Sequence, residues 1–166
     1  TNLQALLKDS THLATRGYIA GEWCDGENSQ TFPVYNPARG DVITDVADIS
    51  RTQAAEAISI SEKAQKLWAA RPAKERSNLL RKWYNLMMEN QEDLATILTA
   101  EQGKPLEEAK GEIAYGASFI EFFAEEAKRV YGETIPGHQS DKRITVLKQP
   151  VGVAASITPW NFPNAM

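Results

Sequence analysis

Apolar positions change their period twice along this chain. As far as residue 47 they fall in short runs bounded by turn residues. From residue 50 to 131 they recur at spacings of three and four, and beyond residue 142 they return to short β-branched runs. A period near 3.6 marks an amphipathic helix, and short runs of alternating or β-branched residues mark strands. The pattern therefore predicts an opening of strands, a helical middle and a strand-forming end.

At the start, Leu3, Leu6, Leu7 and Leu13 are spaced weakly as a helix, so residues 1–15 suit a short helix or an ordered tail. Residues 18–23 read as a strand turning at Ala20-Gly21, and Asp25-Gly26 is a hairpin-type turn signal. Residues 31–35 are a second strand, which Pro33 confines to an edge because proline cannot donate to a ladder. After the turn Asn36-Pro37-Ala38-Arg39-Gly40, residues 42–47 alternate as a third strand. Together these predict a small antiparallel layer.

In the middle, Ser50 or Thr52 can cap a helix whose stripe is Ala54, Ala57, Ile58, Ser61, Ala64, Leu67 and Trp68. Arg71-Pro72 breaks it. Leu79, Leu80, Trp83, Leu86 and Met87 mark a second helix, and a third starts near Asp93 and runs through Leu94, Ile97 and Leu98. Gly103 suits a left-handed helix stop, and Pro105 suits the first turn of the next helix. That helix is long, with its stripe at Ala109, Ile113, Gly116, Ala117, Ile120, Phe123, Ala124, Ala127 and Tyr131, and Gly132 ends it.

Residues 133–141 read as a loop and 143–149 as a strand flanked by charge. The wholly apolar run 151–157, bounded by Pro150 and Pro159, reads as a buried parallel strand with a helix starting after it near Pro163. In an open α/β sheet, ligands bind at the carboxyl end of such a strand. The stretch around Asn161 is therefore the place to look for chemistry.

Composition narrows the function classes. The 166 residues carry 18 basic and 22 acidic side chains, a net charge of −4, with no extended basic face for nucleic acid. No apolar run approaches the roughly 20 residues of a membrane span. The N-terminus lacks a signal pattern, and the single cysteine, Cys24, rules out an internal disulfide framework; both suggest a cytoplasmic protein. His12 and His138 stand alone, so no metal site is expected.

Asn161 is the leading candidate for chemistry. A neutral carboxamide in a strand-to-helix loop can donate to a developing oxyanion without titrating. The same residue equally suits a turn in which Asn bonds nearby backbone, the commoner arrangement. Trp160 and Thr158 could line a cofactor channel, or be a core aromatic and a backbone-bonded hydroxyl. Cys24 lies among Glu22, Asp25 and Glu27, whose charge opposes thiolate formation, so it reads as structural. The charged residues Glu101, Lys104, Glu107, Glu108, Glu112, Glu121, Glu125 and Glu126 read as solvated helix faces or i,i+4 pairs.

Four stretches carry a resemblance. Ile157-Thr158-Pro159-Trp160-Asn161-Phe162-Pro163 resembles the strand-end signature of the aldehyde dehydrogenase superfamily. Asn36-Pro37-Ala38-Arg39-Gly40, Glu101-Gln102-Gly103-Lys104-Pro105 and Pro150-Val151-Gly152-Val153 resemble its N-P-x-x-G, E-x-G-K-P and P-x-G-V segments, in the family's order. Residues 107–132, Ile135-Pro136-Gly137-His138-Gln139 and Asp141-Lys142-Arg143 are similar to the succinate-semialdehyde dehydrogenase branch, with glutarate-semialdehyde dehydrogenases as rivals.

The resemblance implies an α/β fold with a partial Rossmann-type cofactor domain, N-terminal β-hairpins, helices and an oligomerisation strand. Residues 1–131 would belong to the cofactor-binding domain, 132–149 to an oligomerisation arm, and 150–166 to the first strand and loop of the dinucleotide fold. The implied reaction oxidises succinate semialdehyde with NAD or NADP through a cysteine thiohemiacetal and thioester. Asn161 would be the oxyanion donor. Ile157, Thr158, Pro159, Trp160 and Asn161 would touch the cofactor, and Phe162 and Met166 would line the aldehyde tunnel. A homodimer or homotetramer through residues 142–149 is implied. The family's nucleophilic cysteine and glutamate base match no position here, so these 166 residues alone are expected to be inactive. The competing expectation is a non-catalytic fragment that pairs by its arm.

Overall fold

The computed structural model describes residues 2–166. Two hairpins open the chain. In the first, β1 (Gly17–Ile19) pairs antiparallel with β2 (Glu22–Cys24) across Ala20-Gly21, both of which take positive φ. In the second, β3 (Thr31–Tyr35) pairs with β4 (Val42–Ala47) and carries an irregularity at Val34/Tyr35. The predicted single antiparallel layer is thus two separate two-stranded sheets. A 3-10 turn at Glu27–Ser29, entered through the buried Gly26, redirects the chain between them, so Asp25-Gly26 is not the tip of a hairpin. The N-terminal segment forms two short 3-10 turns, Leu3–Leu6 and Ser10–His12.

Four helices follow: α1 (Arg51–Ala69), α2 (Ala73–Glu89), α3 (Gln91–Gln102) and α4 (Leu106–Glu126). Ser50 caps α1 with a full capping box: its side chain accepts from the Gln53 N–H, and the Gln53 carboxamide accepts from the Ser50 N–H. Gly103 closes α3 at φ 86°, as its position after Gln102 predicts. The core lies where α2 and α3 pack on α4. Ala95, Leu98, Ala109 and Ile113 are buried there, with Met87, Leu94 and Leu106 against them.

The N-terminal segment is strapped to α3 by one carboxylate. Buried Asp93 accepts from the Lys8 and Asp9 N–H groups, both at 2.9 Å, and lies 3.0 Å from His12 Nδ1. These donors hold its carboxyl below the usual carboxylate range, the two backbone N–H groups first. The helix α3 starts at Gln91, beside Asp93, which lies in its first turn and reaches back to the N-terminal segment.

Three further expectations change. The stripe assigned to α1 is open: Ile58 and Leu67 are 62% and 74% exposed. Residues 133–141 are not all loop, because β5 (Glu133–Pro136) pairs antiparallel with β6 (Arg143–Val146) as a wholly exposed hairpin. The run 151–157 forms no strand, and Val151 and Ile157 are 100% and 98% exposed. A strand exists only against a partner that takes its hydrogen bonds, and the described residues offer this run none.

Candidate functional site

The segment after Pro159 is ordered by turns. The Phe162 N–H donates to Pro159 C=O, and the Met166 N–H donates to Phe162 C=O at 3.2 Å, closing one helical turn over the predicted helix start. Pro163 within that turn has no N–H to leave unpaired. This turn sits on α4. Ala165 is buried, and Met166 shares an apolar groove of about 490 Å³ with Trp83, Met87, Phe119, Ile120 and Phe123.

What fixes the turn is a buried ion pair. Lys104 and Glu112 have side chains only 8% and 1% exposed and bind each other. The Lys104 ammonium also donates to the backbone C=O of Asn161 at 2.9 Å and lies 3.9 Å above the Phe162 ring. On the other side, Glu112 Oε1 accepts from the Asn164 N–H at 2.9 Å, and Asn164 Nδ2 donates to Glu112 C=O at 3.3 Å. Gly116, one helical turn along, leaves room for this approach: a Cβ there would overlap the Asn164 carboxamide and carbonyl. Each charge thus has a partner and hydrogen bonds that compensate its desolvation.

The sequence-predicted residues fall into three places, Met166 standing apart from the others in the groove on α4. Asn161 and Phe162 lie together with Lys104, Glu112, Gln102 and Tyr115 around a cavity of about 470 Å³. Ile157, Thr158 and Pro159 precede it on an exposed stretch that leads into the turn at Trp160, itself 82% exposed. Trp160 is therefore no core aromatic here. Thr158 is exposed on the same stretch. Asn161 is itself solvent-exposed, with its backbone carbonyl gripped from below.

Lys104, Glu112, Asn164 and Gly116 escape a reading in which charged helix positions are solvated. One signal was present. Glu112 lies three residues after Ala109 and four before Gly116, on the buried face, where an unpaired carboxylate would be costly. The Cys24 thiol donates to the Gly17 C=O at 3.5 Å inside the first hairpin. Among the described residues no group of three or more His, Cys, Asp or Glu side chains could hold a metal ion, and no helix is long and apolar enough to cross a membrane.

Comparison with known proteins shows the family. Residues 23–166 match the model of the aldehyde dehydrogenase family. A glutarate-semialdehyde dehydrogenase of Pseudomonas putida is 60% identical over 160 residues, which is 96% of this chain and 33% of that protein. The NADP(+) succinate-semialdehyde dehydrogenase of Escherichia coli is 56% identical over the same share of each. Among solved structures, an NADP-dependent enzyme of E. coli superposes with a TM-score of 0.93 at 55% identity, covering 96% of this chain and 33% of that one. A betaine aldehyde dehydrogenase of Staphylococcus aureus, in complex with NAD+, superposes with a TM-score of 0.90 at 32% identity, covering 98% and 32%. The chain spans about one third of the length of the relatives it matches. The four ordered motifs, the α/β architecture and these matches agree that the chain belongs to the aldehyde dehydrogenase family.

Proposed function

We propose that this chain is the N-terminal portion of an NAD(P)-dependent dehydrogenase that oxidises a short dicarboxylic semialdehyde, succinate semialdehyde first and glutarate semialdehyde as the alternative. The observation that carries the reading is the Asn161 turn, held by a buried ion pair in a chain 56–60% identical to semialdehyde dehydrogenases. Residues 1–131 and 150–166 contribute to the cofactor-binding domain, and the 132–149 hairpin is an arm through which subunits assemble as a dimer or tetramer. Every residue of β5 and β6 is exposed, which suits pairing of an outer edge with a second copy.

The residues present suit one wall of a dinucleotide site. Ile157 and Trp160 offer exposed apolar surface for a planar ring, and the exposed Thr158 offers its hydroxyl to a ribose. Bound NAD(P) supplies the hydride acceptor. Pro159 stiffens the backbone between Thr158 and the turn. Asn161 then donates its carboxamide N–H to the oxygen that gains charge when a thiolate adds to the aldehyde carbon. An amide does this without changing protonation over the working pH range. Phe162 and Met166 line the approach of the aldehyde.

The test is reduction of NAD+ and NADP+ by the full-length gene product with succinate and glutarate semialdehyde. Turnover with one of them at least tenfold above that with betaine aldehyde supports the reading. No reduction with either semialdehyde overturns it.

A further inference from the structure

Resting on the oxyanion role proposed for Asn161, we propose that Lys104 and Glu112 are positioning residues that set the placement of its carboxamide. Four contacts from this pair and its helix land within residues 161–164. They are the ammonium on the Asn161 carbonyl, the same ammonium on the Phe162 ring, the Glu112 carboxylate on the Asn164 N–H, and the Glu112 carbonyl on the Asn164 side chain. The turn is therefore gripped at its first and last residues. The grip is directional on both sides, and it begins where the free stretch ends: Ile157 is 98% exposed and Trp160 82%.

Stability alone does not account for such a pair. Two charges withdrawn from water are often no better than well-packed apolar residues of the same volume. What an ion pair adds over an apolar pair is fixed donors and acceptors at defined points, and here those points flank the proposed oxyanion donor. A catalytic group must be held to within a fraction of an ångström by such supporting bonds. Gly116 belongs to the same device, since any side chain there would push Asn164 away from α4.

The test is a double-mutant cycle in the full-length enzyme, with kcat and cofactor Kd measured for Glu112→Gln, Asn161→Ala and the pair. Losing an oxyanion donor lowers kcat by about 10²–10³, and misplacing one by about an ångström lowers it by up to about 10². We expect Glu112→Gln to lower kcat roughly 10- to 100-fold in the wild-type background, with cofactor Kd within about twofold. In the Asn161→Ala background it should change kcat by less than about twofold, because the group it positions is gone. Gly116→Ala keeps both charges and should reproduce the kcat loss if Glu112→Gln fails to fold. An equal loss from Glu112→Gln in both backgrounds, or none in the wild type, overturns the positioning role alone. Full turnover in Asn161→Ala overturns the oxyanion reading and this inference with it.

Discussion

Two apolar stretches of this chain meet opposite fates. In α4, Ala109, Ile113 and Ala117 are 0–3% exposed. In the run 151–157, Val151 and Ile157 are 98–100% exposed. Hydrophobicity does not separate them. A helix satisfies its backbone from within, so α4 forms and then offers a face to α2 and α3. A strand satisfies its backbone only from its neighbours, and the run 151–157 finds none among the described residues. The turn at 159–166 lies between the two cases: its order comes from α4, through Lys104 and Glu112.

The strongest way to break this comparison is Lys104→Met, which strands the Glu112 carboxylate in the core. Uncompensated buried charge typically costs about 3–5 kcal/mol, so chemical denaturation should show a loss of that size. Next comes a paired truncation in the 166-residue chain. Ile113→Ala should cost about 2–5 kcal/mol, whereas Ile157→Ala should stay within about 0.5 kcal/mol.

The smallest effect is local and depends on pH. The Asp93 carboxyl is held below its ordinary value by the Lys8 and Asp9 N–H groups. Its contribution is complete above the ordinary carboxylate pKa and lost as pH falls through the lowered one. Amide exchange at Lys8 and Asp9 should therefore accelerate in that acid range before the α2–α4 packing opens. Simultaneous exchange of both regions would show that the strap and the core are one cooperative unit.

What was legible in the sequence was local. The Ser50 cap, the left-handed Gly103 and the four helices follow from neighbours within four residues. The Ala20-Gly21 turn follows likewise. What was not legible depends on residues far apart in the chain. Lys104 meets residue 161 and Glu112 meets residue 164, 57 and 52 positions away. No spacing rule registers such a contact, so both side chains read as surface. The pairing of β5 with β6 was missed because Glu133–Pro136 is too short to show alternation. The run 151–157 has the composition of a strand, yet it forms none, because no neighbour among the described residues takes its backbone hydrogen bonds.

The most direct measurement is kcat and cofactor Kd for Asn161→Ala in the full-length enzyme with succinate semialdehyde. A fall in kcat of about 10²–10³ is expected, with cofactor affinity nearly unchanged. Intact turnover combined with a large loss of cofactor binding would contradict it, and would make Asn161 a cofactor ligand rather than the oxyanion donor.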